Sequence, residues 1–153
     1  MSSNKKNIDF IVITGSTATG KTKVAVNIAK KIGGEIISAD SRQIYRGMDI
    51  GTGKDINEYE ANGVSIPYHL IDILNPDQNY SVYQFQRDFL RAYDKINKKS
   101  KIPILCGGTG LYIESILLKY KLQNAPAPNI NLRASLENLP KESLLDVLKK
   151  ISK

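Results

Sequence analysis

IDFIVITGSTATGKT, residues 8–22, decides how the rest of the chain is read. Ile8 to Thr14 is apolar and β-branched, the composition of a buried strand. Residues 15–20 form a glycine-bounded loop, and from Lys21 to Ile32 the apolar positions Val24, Ile28 and Ile32 keep helical spacing. Gly33 and Gly34 end that helix. Gly15, Ser16, Thr17, Ala18, Thr19, Gly20, Lys21 and Thr22 together fit G-x-x-x-x-G-K-[ST], with the strand before it and the helix after it that the motif requires. Backbone N–H groups of such a loop wrap a di- or triphosphate, helped by the positive end of the helix. Lys21 would neutralise phosphate oxygens, and the Thr22 hydroxyl would ligate Mg²⁺.

Working outward, Glu35 to Ser38 is a second strand that opens into a polar loop carrying Asp40, Ser41, Arg42 and Gln43. Residues 51–65, rich in glycine, asparagine and charge, suggest a loop with one helical turn. Tyr68 to Ile73 suggests a third strand. Ser81 is placed to cap a long helix whose apolar face is Val82, Phe85, Phe89, Tyr93 and Ile96. Ile102 to Cys106 is a fourth strand, followed by Gly107-Gly108-Thr109-Gly110 and a helix through about Lys119. This alternation predicts an α/β fold: a parallel sheet of the P-loop NTPase type flanked by helices. At 124–129 the composition becomes proline-rich, and two short helices, Ile130 to Asn138 and Lys141 to Ile151, follow. The expected division is a core over 1–122 and the start of a small helical region over 123–153, cut short.

The 153 residues suit one ordinary core. One cysteine excludes a disulfide framework or a cysteine-based zinc site. No run approaches the roughly 18 apolar residues needed to span a bilayer. The N-terminus is too polar for a signal peptide, so a cytoplasmic protein away from membranes is expected. The net charge of +7, from 22 Lys and Arg against 15 Asp and Glu, favours a polyanionic partner. A solvated basic surface would explain the dispersed clusters Lys5-Lys6, Lys98-Lys99-Lys101 and Lys149-Lys150 equally well.

Asp40 follows the second strand at the carboxyl edge of the sheet, where ligands of open α/β sheets bind. It suits a general base or a magnesium ligand, and a turn or helix cap suits it too. Asp72 lies near the end of the third strand, where a metal role and a turn cap are both open. Thr109, in a glycine-rich turn at another strand end, offers a hydroxyl to a ligand. His69 fits a sheet-face residue better than a catalyst, and Cys106 fits a small buried residue. The eight tyrosines are scattered and define no stacking platform.

IVITGSTATGKT, EIISADSRQIYRGMDIGTGK, PYHLIDILNPDQNYSV and PILCGGTGLYIES, in that order over roughly residues 10–120, resemble the tRNA dimethylallyltransferase (tRNA isopentenyltransferase) family. Weaker similarity runs through Pro126 to Glu137. The resemblance implies transfer of a dimethylallyl group from its diphosphate to N6 of the adenosine beside the anticodon, within a tRNA anticodon stem-loop. It implies that the phosphate loop holds dimethylallyl diphosphate, with Lys21, Thr22 and Mg²⁺ assisting, although such loops carry a nucleotide- or ATP-binding label. Asp40 matches the family's general base. Ser41, Arg42, Gln43, Thr109 and Arg133 match tRNA-contacting positions, and a monomer is expected. The family continues past this chain with more helices and a further core segment that supplies a diphosphate-binding arginine, so an N-terminal portion is expected. The rival readings are an adenylate isopentenyltransferase, a P-loop small-molecule kinase and an inactive fragment.

Overall fold

The computed structural model describes residues 9–54, 56–61, 63–122 and 129–151. They belong to two compact units, Met1–Lys121 and Leu122–Lys153. The expected strand start at Ile8, the pair Lys5-Lys6 and the proline-rich stretch 124–128 lie outside the described residues.

Four parallel strands form the sheet of the first unit: β1 (Ile11–Thr14), β2 (Glu35–Ser38), β5 (Tyr68–His69) and β6 (Pro103–Gly107), in the order β1-β6-β2-β5. Register is set by Ile11 opposite Ile104, Ile36 opposite Ile104 and Ile36 opposite Tyr68. β2 and β6 are buried along their whole length, as central parallel strands covered on both faces must be. Their side chains alternate between two cores. Ile36, Ile104 and Cys106 face α1 (Lys21–Ile32), while Ile37 and Leu105 face α2 (Val82–Asn97) and α3 (Gly110–Leu117).

Between β2 and β5 the chain forms a short 3₁₀ turn, Ile56–Tyr59, and an antiparallel pair, β3 (Glu60–Ala61) with β4 (Val64–Ser65). The sequence suggested the turn, but not the small second sheet. Ser81 caps α2 in both directions: its hydroxyl accepts from the Gln84 N–H, and the Gln84 side chain accepts from the Ser81 N–H. Phe85 stacks on Tyr112 with ring centres 4.2 Å apart, fastening α2 to α3.

Two expectations need correction. The third strand does not run from Tyr68 to Ile73. It ends at His69, because Leu70 and Asp72 adopt left-handed backbone angles (φ 63° and 54°) that no strand continues through. The chain leaves the sheet there and lies along 43–46, with the Asp72 N–H on the Gln43 carbonyl at 3.1 Å and the Ile73 N–H on the Ile44 carbonyl at 2.8 Å. Of the three apolar positions that mark the spacing of α1, Ile28 is partly buried against the core, but Val24 and Ile32 are not its buried face. Ala25, Val26 and Ala29 face the sheet, and Val24 and Ile32 are 50% and 40% exposed. Two alanines let the helix sit close to β6, and close packing decides the face where the apolar spacing fits two faces.

The second unit holds α4 (Ile130–Leu136), two residues shorter than expected, and α5 (Lys141–Ile151), which has the expected limits. The Asn129 side chain caps α4 by accepting from the Leu132 N–H at 3.0 Å. Neither helix has a buried residue. No helix among the described residues is long and apolar enough to cross a membrane.

Candidate active site

Because β6 lies between β1 and β2, the loops leaving these three strands meet at the carboxyl edge. They are the phosphate loop after β1, the Asp40 loop after β2, and Gly107 to Thr109 after β6. Their contact depends on Gly107: a Cβ there would stand 2.3 Å from the Ala39 carbonyl oxygen, so no other residue allows this approach. The Ala39 N–H donates to the Cys106 carbonyl at 2.8 Å, and the Thr109 N–H donates to the Ala39 carbonyl at 3.1 Å. Asp40 is therefore fixed one residue beyond a doubly bonded anchor. Gly108 lies against the phosphate loop at ordinary contact distance, since a Cβ on it would be 3.5 Å from the Gly15 carbonyl oxygen and 3.9 Å from Lys21 Nζ.

These loops enclose a cavity of about 490 Å³. Thr17, Ala18, Thr19, Gly20, Lys21 and Thr22 line one side, and Asp40, Gln43, Cys106, Gly107 and Gly108 continue the wall. The expected phosphate loop and the expected base thus share one chamber. The phosphate loop is braced internally, with the Ser16 carbonyl accepting from both the Thr19 hydroxyl and the Lys21 ammonium. Ala18 takes a left-handed backbone (φ 61°) to make the turn.

Asp40 Oδ1 accepts from the Arg42 N–H at 2.9 Å, an Asx turn that fixes the carboxylate. Ser41, Arg42 and Thr109 are not on the cavity lining. The Thr109 hydroxyl accepts from the Ser41 N–H at 2.9 Å and donates to the Ser41 hydroxyl at 3.3 Å, so it ties the Asp40 loop to the end of β6. Gln43 is buried, with the Ser38 hydroxyl donating to Oε1 and Nε2 donating to the Gly53 carbonyl at 3.1 Å. Its amide spans the chamber wall as a brace. Gly15 and Ser16 form the base of the phosphate loop rather than the lining. Arg133 lies exposed on α4, in the second unit.

The remaining wall, Asp49, Gly51 to Lys54, Glu58 and Tyr59, comes from residues that sequence reasoning left in a loop. The available signal was three closely spaced glycines, and Gly47, Gly51 and Gly53 all take left-handed angles (φ 71°, 74° and 65°). Asp72 is not on the lining. Its carboxylate accepts from the Lys54 ammonium. Burial would lower the Lys54 pKa, but hydrogen bonds and charge from Asp49 and Asp72 raise it, so the ammonium stays charged.

Burial pushes the Cys106 thiol up to about 11; Lys21 pulls it down and Asp40 pushes it further up. It is a neutral wall residue near pH 7, not a nucleophile. His69 stands on the outer strand, bonded through Nε2 to Glu35 at 2.9 Å. Glu35 opens β2 at the amino edge, away from the chamber. It is fully buried, and burial alone would raise its pKa. Hydrogen bonds from Lys99, His69 and Lys101 outweigh that and hold it at about 2.

Two family models match the chain: IPP transferase over residues 43–153 and isopentenyl transferase over residues 8–67. Among curated relatives, tRNA dimethylallyltransferase 1 of Parabacteroides distasonis is 53% identical, over 94% of this chain and 46% of its own length. tRNA dimethylallyltransferase 2 of Phocaeicola vulgatus is 58% identical, over 84% of this chain and 41% of its own length. The full-length tRNA isopentenylpyrophosphate transferase of Bacillus halodurans superposes with a TM-score of 0.69 at 39% identity, covering 93% of this chain and 47% of that one. A eukaryotic dimethylallyltransferase acting on tRNA superposes with a TM-score of 0.75 at 29% identity, covering 92% of this chain and 35% of that one. The chain spans a little under half the length of the curated relatives it matches.

Proposed function

The chain belongs to the IPP transferase family, and from that premise we propose that it carries the diphosphate site and the base of a tRNA-modifying prenyltransferase. Such an enzyme moves a dimethylallyl group from dimethylallyl diphosphate to N6 of the adenosine adjacent to the anticodon. One observation carries the proposal: the phosphate loop and Asp40, on loops from two different strands, face the same chamber.

The chemistry divides between the two sides. N6 of adenine is a weak nucleophile, because its lone pair is delocalised into the ring. As N6 attacks the first carbon of the dimethylallyl group, the carbon–oxygen bond to diphosphate breaks and its electron pair leaves with the diphosphate. Asp40 accepts the N6 proton as the carbon–nitrogen bond forms. Lys21 and the loop N–H groups stabilise the charge that gathers on the leaving diphosphate.

Thr22 puts a hydroxyl, a hard oxygen ligand suited to magnesium, on the chamber wall. Among the described residues no three acids, histidines or cysteines gather into a metal cluster. Thr22 would be the residue that holds Mg²⁺, and the ion would add positive charge at the leaving group.

The adenosine must leave its stack to reach a base at the foot of a chamber. A cavity of about 490 Å³ suits a flipped base beside a small diphosphate ester. Exposed Arg42 beside Asp40, Arg133 on α4 and the net charge of +7 support a polyanionic acceptor. The test offers labelled dimethylallyl diphosphate with unmodified tRNA or with free adenine nucleotide, and, separately, ATP labelled on its terminal phosphate. Label on tRNA supports the proposal. Label on free nucleotide alone, or phosphoryl transfer from ATP, would replace it.

A further inference from the structure

Among the described residues two lysines, Lys21 and Lys54, line the chamber, and they are not equivalent. Of these, Lys21 bonds within its own loop, to the Ser16 carbonyl, and it is partly accessible. Lys54 is also on the lining, yet its side chain is 1% exposed and its ammonium has three acceptors, one for each proton. These are the Tyr45 carbonyl at 2.8 Å, Asp49 Oδ1 at 2.8 Å and Asp72 Oδ1. No proton is left for a diphosphate. The acceptors come from three places: the start of the 45–54 loop, its tip, and the segment after β5. The Gly53 carbonyl, next to Lys54, also accepts the Gln43 amide that braces the Asp40 side.

We infer that Lys54 is a positioning residue that fastens the 46–53 loop as the acceptor-side wall of the chamber, and is not a second phosphate ligand. This rests on the prenyltransferase proposal only for the name of the acceptor. Losing the ammonium releases Asp49 and Asp72, whose side chains are 65% and 38% exposed and so can turn to water. The fold has a route to survive the change, while the loop loses its fastening. The phosphate loop is a separate segment and keeps its internal bonds.

The experiment compares the full 153-residue chain with Lys54→Met and Asp72→Asn in two measurements. The first is hydrogen exchange of residues 46–53, which needs no activity. We expect exchange there to rise at least tenfold in Lys54→Met and by a smaller factor in Asp72→Asn, with residues 15–22 unchanged. The second is steady-state transfer. The KM for tRNA should rise at least fivefold in Lys54→Met and that for dimethylallyl diphosphate less than twofold, with Lys54→Arg restoring part of the loss. Unchanged loop exchange in both variants overturns the inference. So does a diphosphate KM that rises as much as the tRNA KM, since that marks a phosphate ligand. If wild type transfers nothing to tRNA, the proposed function fails, and the exchange result still decides the role of Lys54. Should Lys54→Met not fold, Asp72→Asn alone decides it by the same two criteria.

Discussion

Replacing Gly107 by alanine tests how the three loops are held together. The new methyl carbon would sit 2.3 Å from the Ala39 carbonyl oxygen, 2.4 Å from its carbonyl carbon and 2.8 Å from its Cα. All three are backbone atoms, so no side chain can swing aside. Restoring ordinary contact, about 3.4 Å, requires β6 and the Ala39 segment to part by about 1 Å, a strain of about 1–3 kcal/mol in a packed core. The two bonds that Ala39 makes, to Cys106 and Thr109, are stretched by the same movement. Each contributes about 1 kcal/mol. The sum is about 3–5 kcal/mol, or roughly 6–20 °C in Tm at about 2–4 °C per kcal/mol for a chain of this size. Asp40 directly follows Ala39, and a shift of about 1 Å in a reacting group costs about 100-fold in rate. Thermal unfolding by circular dichroism and the single-turnover transfer rate would be measured together. A Tm within 1–2 °C of wild type, with an unchanged rate, would refute the reasoning.

Other outcomes follow from the same geometry. Glu35 is held at about 2 against an ordinary 4.5, so its contribution is complete above about pH 4.5 and is lost as pH falls towards 2. That contribution is about 3 kcal/mol, and Glu35→Gln should flatten the pH dependence of urea unfolding across this window; an unchanged slope would contradict the assignment. Thr109→Val removes the acceptor of the Ser41 N–H, and about 1–2 kcal/mol of stability should go with it. Its transfer rate should fall while diphosphate affinity stays, which calorimetry can check. Lys21→Ala should weaken diphosphate binding at least tenfold in the same titration; equal affinity would remove Lys21 from the site.

Strand, phosphate loop and helix were legible from residues 8–22, because the motif and its flanks are contiguous. The Ser81 cap of α2 and the limits of α5 were legible for the same reason, since capping residues and apolar spacing act over a few positions. The end of β5 was not. Tyr68 to Ile73 has strand composition, and only pairing with 43–46, some 28 residues earlier, draws Leu70 and Asp72 into left-handed conformations. Asp40 is singled out by its place after a strand, and the structure sets it on the chamber lining. Lys54 escaped notice because its meaning lies in three partners from separate segments, Tyr45, Asp49 and Asp72. Gln43 and Thr109 were picked out as ligand contacts. The structure shows their polar atoms holding the wall together, a role that local sequence cannot display.

The most direct test of the central proposal is single-turnover transfer of labelled dimethylallyl to unmodified tRNA by wild type and Asp40→Asn, with binding of both substrates measured separately. Asparagine keeps the shape of the side chain and removes its basicity. The expected result is transfer by wild type, a loss of at least 100-fold in Asp40→Asn, and affinities for diphosphate and tRNA within about threefold of each other in the two proteins. Transfer at the wild-type rate by Asp40→Asn would contradict the assignment of Asp40 as the base at the end of β2.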